Sequence, residues 1–421
     1  MGERPIDGDR PELVAAAAGR IGQAGETRLV GLESVRGLAA IAVVWTHAWA
    51  LSREYNISTF AHRLTVGTIY VIYLFFVMSG YLLFWPFAQA AWGNRKPLSV
   101  RSYALNRAWR VLPAYYVCLV ILMLVQQHGG PLHYWVAFGT FTQDFSSTTV
   151  GQVDSPMWSL GTEMQFYILL PLIAWGLARV ARGSIRVAAI LLGVIAAGSF
   201  VAREALNYGL LGTVPRTGLA LGLDYSILEF FCYFALGMGL ALWRLQVLAR
   251  RPRWLDGRLG HSDTWFAAAV VLWILACYRY QWELLGALAS ALIIGALVLP
   301  LRHGRGVAPF RWRWTALIGV ISYSIYLWHL PVLLAISNRS LTTTYPVSYG
   351  RGMTQLFGIG LPVSVAIGAL SYWQIERRGL SRRRRWSGNT LAYAPVAEPA
   401  DADSNATSAS GAESGAIGGA S

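Results

Sequence analysis

Charged residues are scarce in this chain. They make up 13% of its 421 residues, whereas a soluble domain carries about 25%. Apolar residues make up 55%, and the chain contains 18 Trp and 20 Tyr. This balance argues against an ordinary soluble domain and is typical of a polytopic membrane protein.

Lysine is almost absent, because Lys96 is the only one, and arginine supplies nearly all of the net charge of +14. A strongly basic chain can indicate a nucleic-acid partner. Here, however, the arginines lie in the loops between apolar runs, where they set membrane topology. We therefore expect the lipid bilayer to be a partner and expect no binding of nucleic acid.

Cysteine is also rare: Cys118, Cys232 and Cys277 lie singly in apolar runs, and no pair has the spacing of a metal or redox site. The sequence lacks a G-x-S-x-G elbow, a Walker-type loop, an H-E-x-x-H motif and a Cys/His metal cluster. These absences argue against a soluble hydrolase and an ATP-driven pump. We expect no metal and no bound cofactor.

The apolar residues form about ten runs long enough to cross a bilayer as helices. The candidate spans are residues 35–52, 66–88, 110–127, 157–178, 187–202, 226–244, 264–280, 283–301, 314–336 and 353–375. Arginines cluster in alternate loops, and the segment from His128 to Met157 has no Arg or Lys. The positive-inside rule then predicts an all-α bundle in the inner (plasma) membrane with both termini in the cytoplasm.

The two ends of the chain are polar or low in complexity. We expect residues 1–28 to be a disordered cytoplasmic arm and residues 29–380 to form the transmembrane domain. Residues 381–421 begin with a basic run and continue as Ala, Ser and Gly with scattered acids. This composition predicts a disordered cytoplasmic tail.

Ionisable residues inside apolar spans are costly, so each one suggests a functional site. Arg36 and His47 lie eleven residues apart in LESVRGLAAIAVVWTHA, which is about 16 Å along a helix and places His47 near mid-membrane. This histidine is either a packing group or a general base. Glu163, in PMWSLGTEMQFYILLPL, lies at a similar depth and either bonds a neighbouring helix or orients the imidazole.

Arg107 and Arg110, in RSYALNRAWRVLPAYY, share a helix face at the cytoplasmic mouth of the bundle. Paired arginines suit phosphate groups, although arginines that fix topology and reach lipid phosphates have the same spacing. His329, in SYSIYLWHLPV, lies deep in the ninth span close to Tyr326 and is either a packing or a site residue. We interpret Glu376, which ends the last span, as a snorkelled or arginine-paired carboxylate at the membrane interface rather than a catalytic one.

Six blocks of the sequence resemble, in order, the acyltransferase-3 family of integral membrane O-acyltransferases. They are LESVRGLAAIAVVWTHA, FFVMSGYLLF, RAWRVLPAYY, WSLGTEMQFYILLPL, ISYSIYLWHLPV and SYWQIERR, and they extend over residues 29–380. The residues that match the polar positions of the family are Arg36, His47, Arg107, Arg110, Ser159 and Glu163. The sequence departs from the family at Arg377, where many members have proline, and at Gly161 and Thr162, which leaves the subfamily open.

The resemblance implies ten helices and transfer of a short acyl group, by default acetyl, from cytoplasmic acyl-CoA to a hydroxyl. It implies acyl-CoA as a co-substrate and a carbohydrate or glycolipid acceptor. In this interpretation His47 is the general base and Glu163 orients it or binds the acceptor. Arg36, Arg107 and Arg110 bind the donor.

Ser159, Tyr326 and His329 are candidates for an acceptor pocket. Direct transfer and an acyl-histidine intermediate both stay open. A secondary transporter or flippase also keeps ionisable residues near the midplane, but it makes no ester. The other membrane-bound O-acyltransferase family uses a histidine in an apolar run as well, but the ordered blocks fit acyltransferase-3 better. The sequence leaves the oligomeric state open.

Overall fold

The structure is a computed structural model that describes residues 10–52, 60–93, 95–146, 148–208, 225–278, 282–337 and 352–379. The described part is helical, which confirms the all-α prediction. Its α-helices are α1 (Arg10–Ala50), α2 (Phe60–Val66), α3 (Val71–Trp92), α4 (Val100–Val125), α5 (Leu132–Gly139), α6 (Met157–Ala181), α7 (Ile185–Tyr208), α8 (Ile227–Arg250), α9 (Ser262–Tyr278), α10 (Glu283–Val298), α11 (Arg313–Val320), α12 (Ser322–Ile336) and α13 (Met353–Ser371).

Six stretches of helix are long and apolar enough to cross a membrane. They are residues 62–92, 100–125, 157–181, 185–205, 227–250 and 353–379. Helices α11 and α12 meet at a bend of 71° and form a further candidate, while α9 and α10 are shorter apolar helices. Each of these helices overlaps a predicted span. The chain is therefore a multi-pass membrane protein, and the number of ten crossings stays a prediction.

Helix α1 holds the first predicted span. It begins at Arg10, within the segment predicted to be a disordered arm, and its described side chains start at Val30. Residues 1–9 and residues 380–421, which include the predicted tail, lie outside the described part of the chain. The disorder of the two ends stays a prediction.

Helices α3 and α8 are in close contact because glycine lies where their backbones meet. A Cβ atom at Gly80 would clash with the carbonyl oxygen of Phe234, and one at Gly237 would clash with that of Val77. Small residues at such positions let two membrane helices approach each other until their backbones touch. A larger residue at either glycine would push the two helices apart.

The same two helices run parallel. Tyr73 of α3 stacks on Tyr233 of α8, with ring centroids 4.2 Å apart. Further along both helices, Trp85 lies against Arg244. Helices α3 and α8 therefore end on the same side of the bundle, where α4 begins. We call this side the lower end and the opposite side, where α6 begins, the upper end.

Arg203 of α7 joins three helices through a buried ion-pair cluster. Its guanidinium donates to Glu229 of α8 and to Glu283 of α10. The hydroxyl of Tyr73 donates to Glu283 Oε2 over 2.7 Å. Arg203, Glu229 and Glu283 are all buried, so each charge depends on its partners rather than on water. Both glutamates lie in the first turn of their helices, where the helix dipole favours negative charge.

Replacing Arg203 with alanine is expected to destabilise the protein by about 3–5 kcal/mol, because it leaves two carboxylates buried without their counter-charge. Thermal unfolding in lipid nanodiscs measures the change. The control is Arg186→Ala, which removes an exposed arginine from the same helix and should change stability by less than about 0.5 kcal/mol. The double variant Arg203→Ala/Glu283→Gln should recover part of the loss. Equal unfolding midpoints for Arg203→Ala and wild type would contradict a structural role for the cluster.

Candidate active site

Helices α1 and α12 bring two imidazoles together. His47 Nδ1 lies 3.2 Å from His329 Nε2, and the ring centroids are 4.7 Å apart with an interplanar angle of 68°. His329 is fully buried and His47 is half-buried. The two residues are predicted site residues 282 positions apart, and their contact is not evident from the sequence.

Backbone carbonyls fix which nitrogen atoms of this pair carry protons. His329 Nδ1 lies 2.6 Å from the carbonyl oxygen of Tyr326, which can only accept, so this Nδ1 carries the proton. In a neutral imidazole Nε2 is then bare and accepts from His47 Nδ1. His47 Nδ1 also lies 3.0 Å from the carbonyl oxygen of Val43, which again requires a proton on Nδ1. The lone pair of His47 is therefore on Nε2, where it can act as a base.

Glu163 makes its described contacts away from the imidazole pair. Ser79 of α3 donates a hydrogen bond of 2.5 Å to Glu163 Oε1. Tyr167, one turn further along α6, interacts with the same carboxylate. The structure thus pairs His47 with His329, and it connects Glu163 to α3. A catalytic role for Glu163 stays a prediction.

The three predicted donor-binding arginines lie in two groups. The guanidinium of Arg107 lies over the ring of Tyr167, 5.7 Å from its centroid. Arg110 and Arg36 both interact electrostatically with Glu376, which is buried. Residues from α1, α4 and the end of the last span therefore meet around one carboxylate. Ser324 also donates a hydrogen bond to this carboxylate. Glu376 is therefore buried rather than snorkelled to an interface, and the nearby arginines are the part of its prediction that agrees with the structure.

The residues predicted to form an acceptor pocket lie together. Ser159 Oγ and the Tyr326 hydroxyl are 2.6 Å apart, and the Tyr326 hydroxyl donates to the carbonyl oxygen of Pro156 over 3.0 Å. The ring of Tyr326 is 5.6 Å from that of His329 between centroids. These contacts form a polar line from the start of α6 to the imidazole pair.

The segment between α4 and α6 extends this polar line with residues that were not predicted. Gln143 and Asp144 are fully buried, and Asp154 is buried as well. Within the described chain, neither carboxyl oxygen of Asp154 has a hydrogen-bond partner. Asp154 interacts electrostatically with Tyr326. The sequence did contain one signal for these residues. Asp144 and Asp154 lie in a loop without lysine or arginine, so no such residue of that loop can form a salt bridge with them.

Burial changes the protonation of these two loop carboxyls. It raises the pKa of Asp144 to about 9 and that of Asp154 to about 8, because a buried carboxylate loses the water that stabilises its charge. Both groups are therefore protonated at neutral pH. A protonated carboxyl can donate one hydrogen bond as well as accept.

A comparison with protein families matches residues 29–373 to a model described as "Acyltransferase domain". The matched region begins just before Arg36 and contains every predicted site residue. No solved structure matches the chain.

Two curated bacterial proteins are similar to this chain. One is named "Putative peptidoglycan O-acetyltransferase YrhL", from Bacillus subtilis, and is 25% identical over 335 residues, covering 72% of this chain and 48% of the relative. The other is named "Peptidoglycan O-acetyltransferase OatA", from Listeria monocytogenes, and is 24% identical over 326 residues, covering 71% of this chain and 49% of the relative. The chain thus spans about half the length of the curated relatives it matches.

Asp154→Asn should make the protein more stable than wild type at alkaline pH. The folded pKa of Asp154 lies near 8 against an ordinary value of 3.8, so folded wild type binds more protons than the unfolded chain between these values. The contribution of this group is fully present below about pH 4 and is lost as the pH rises to about 8. Thermal unfolding of both proteins from pH 5 to 9 measures the difference, which should grow with pH. A difference that does not change with pH would contradict the burial argument.

Proposed function

The chain belongs to the acyltransferase-3 family, as its sequence blocks predicted, and from this premise we propose that it transfers a short acyl group from acyl-CoA to a carbohydrate hydroxyl. Acetyl is the expected group, because both curated relatives are named O-acetyltransferases. Their names also support a glycan of the cell envelope, such as peptidoglycan, as the acceptor. The proposal rests on the contact between His47 and His329. This contact places the proton of His47 on Nδ1, so Nε2 can act as a base inside the bundle.

His47 Nε2 removes the proton from the acceptor hydroxyl as the hydroxyl oxygen attacks the thioester carbonyl carbon. A carbon–oxygen bond forms and the carbon–sulfur bond breaks. The leaving CoA sulfur then takes the proton from His47, which restores the neutral imidazole. The products are an acyl ester of the acceptor and free CoA. Attack by His47 itself would give an acyl-histidine intermediate that the acceptor then resolves.

His329 is a positioning residue in this mechanism. Its Nε2 accepts from His47 Nδ1, so it holds the imidazole in the tautomer with a bare Nε2. It also stabilises the positive charge that develops on His47 when the proton arrives, because the shared Nδ1 proton stays hydrogen-bonded. Groups that orient a functional histidine through its second nitrogen act in this way in many sites.

The donor is proposed to enter from the lower end, which we place in the cytoplasm. Arg107 lies seven residues after the start of α4 and supplies a guanidinium for a phosphate group. Arg36 and Arg110 lie together beside Glu376, and Arg36 is about 16 Å along α1 from His47. This spacing lets an extended pantetheine arm carry the thioester from the arginines to the imidazole.

The acceptor is proposed to approach from the upper end. Ser159 and Tyr326 offer hydroxyl groups, and the buried carboxyl of Asp154 interacts with Tyr326. Hydroxyl and carboxyl groups are suitable partners for sugar hydroxyls. Donor and acceptor would thus reach His47 from opposite sides of the membrane.

We further propose ten crossings of the plasma membrane with both ends of the chain in the cytoplasm. The six long spans, the bent pair α11–α12, the shorter helices α9 and α10, and α1 together supply them. The alternation of arginine-rich loops with loops that are poorer in positive charge supports this orientation.

His47→Ala is expected to lower acyl transfer by about 10²–10⁴-fold, the usual contribution of a general base. The purified protein in nanodiscs is given labelled acetyl-CoA and soluble peptidoglycan fragments, and the acetylated product is measured by mass spectrometry. Binding of acetyl-CoA should be retained in the variant. Exposed His133→Ala serves as the matched control. Transfer at the wild-type rate by folded His47→Ala would contradict the role of His47, and wild type that binds no acyl-CoA would instead favour a transporter.

His329→Leu is expected to lower kcat by about 10- to 100-fold, the range found when a group that orients a functional histidine is removed. The KM for acetyl-CoA should stay close to that of wild type, because His329 does not contact the proposed phosphate-binding arginines. His329→Gln should recover much of kcat, since its amide oxygen can accept from His47 Nδ1. Equal activity of the glutamine and leucine variants would show that His329 is only a packing residue.

A further inference from the structure

Arg244 of α8 is a buried cation that forms no ion pair within the described part of the chain. Only 8% of the residue is exposed. One guanidinium nitrogen donates to the Tyr81 hydroxyl over 2.5 Å, and the guanidinium carbon lies 4.3 Å from the ring centroid of Trp85. Among the described residues, Nε has no hydrogen-bond partner and no carboxylate lies within ion-pair distance.

Arg203, on the neighbouring helix α7, is a buried arginine that does have acidic partners. Its guanidinium contacts two glutamates. Arg244 has a neutral hydroxyl and an aromatic ring in their place. An arginine cannot lose its proton to escape burial, and an isolated charge inside a bundle is costly. A cation–π contact offsets only part of that cost. The unused Nε and the uncompensated charge therefore point to an anion supplied from outside the chain.

The position of Arg244 suggests which anion this is. Because α3 and α8 are parallel, Arg244 lies toward the lower end, about 9 Å along α8 before its last residue, Arg250. Arg107 and Arg110 lie near the start of α4, at the same end of the bundle. Phe87 of α3 packs on Tyr103 of α4, with ring centroids 5.3 Å apart. The last turns of α3 thus lie between the α4 arginines and Arg244.

We propose that Arg244, held by Tyr81 and Trp85, binds a phosphate group of the acyl-CoA donor. The planar guanidinium fork matches phosphate oxygens. Tyr81 accepts from one of its nitrogens, and Nε keeps no hydrogen-bond partner among the described residues. This inference rests on the proposed function, because it takes acyl-CoA as the donor. The phosphate of an anionic lipid headgroup has the same chemistry, and the test separates the two sources.

The test compares wild type with Arg244→Gln, Arg244→Lys and Arg250→Gln in phosphatidylcholine nanodiscs. Arg250 is exposed and lies on the same helix and at the same end, so it is the matched control. Binding of acetyl-CoA should weaken about 10- to 100-fold in Arg244→Gln, which corresponds to the loss of hydrogen bonds to a charged group. Arg244→Lys should lie between wild type and Arg244→Gln, and Arg250→Gln should bind like wild type.

Two further measurements separate a ligand-binding cation from a structural one and CoA from lipid. Without ligand, Arg244→Gln should unfold at the same temperature as wild type or higher, because an uncompensated charge has been removed. With S-acetylpantetheine, which carries no phosphate, wild type and Arg244→Gln should show equal turnover. Adding phosphatidylglycerol to the nanodiscs should not change the ratio between the two proteins.

The outcomes distinguish this inference from the proposed function. If wild type binds no acyl-CoA, the proposed function itself fails. If wild type binds acetyl-CoA and Arg244→Gln binds it equally, the function stands and the role of Arg244 is wrong. A lower unfolding temperature or loss of folding in ligand-free Arg244→Gln would make Arg244 a structural residue. An effect that depends on phosphatidylglycerol and is equal for acetyl-CoA and S-acetylpantetheine would assign Arg244 to a lipid headgroup.

Discussion

A polar side chain inside an apolar bundle has no water to bond and needs a partner on a neighbouring helix. This constraint organises the interior of the protein. His329 bonds a carbonyl of its own helix and the imidazole of His47, and Glu163 accepts from Ser79. Arg203 holds two glutamates. The contacts His47–His329, Ser79–Glu163 and Arg203–Glu283 join helices that are not consecutive in the chain, so the polar pairs set the register in which the apolar faces pack.

The same constraint prepares the proposed chemistry. The carbonyl oxygen of Tyr326 determines the tautomer of His329, and His329 determines that of His47. The fold therefore determines which nitrogen of His47 is basic before either substrate binds. A catalytic site that is arranged before binding is preorganised. The Tyr326 hydroxyl continues the line to Ser159. One short helix, α12, thereby connects the imidazole pair to the proposed acceptor side.

The helical architecture follows from the sequence because apolar run length and arginine placement are local signals. The observed spans 157–181 and 353–379 begin at the predicted residues. Helix α4 begins at Val100, ten residues before its predicted span at 110, because nearly three turns of more polar helix precede the apolar run. His47 and His329 were recognisable singly, but their pairing depends on how α1 meets the bent α11–α12 pair. Asp154 lay in a loop and Arg244 at the edge of a predicted span, so their sequence positions did not mark them as site residues. They stand out only by their burial, which tertiary packing creates.

The tautomer of His47 decides whether the site holds a base, and nitrogen NMR of the protein labelled with ¹⁵N-histidine in nanodiscs measures this tautomer. Subtracting the spectrum of a His47→Gln variant assigns the two ring nitrogens of His47. We expect a protonated Nδ1 and a bare Nε2 at neutral pH. A bare Nδ1 with a protonated Nε2 would contradict it, because the imidazole would then present a donor, not a base, to the acceptor hydroxyl.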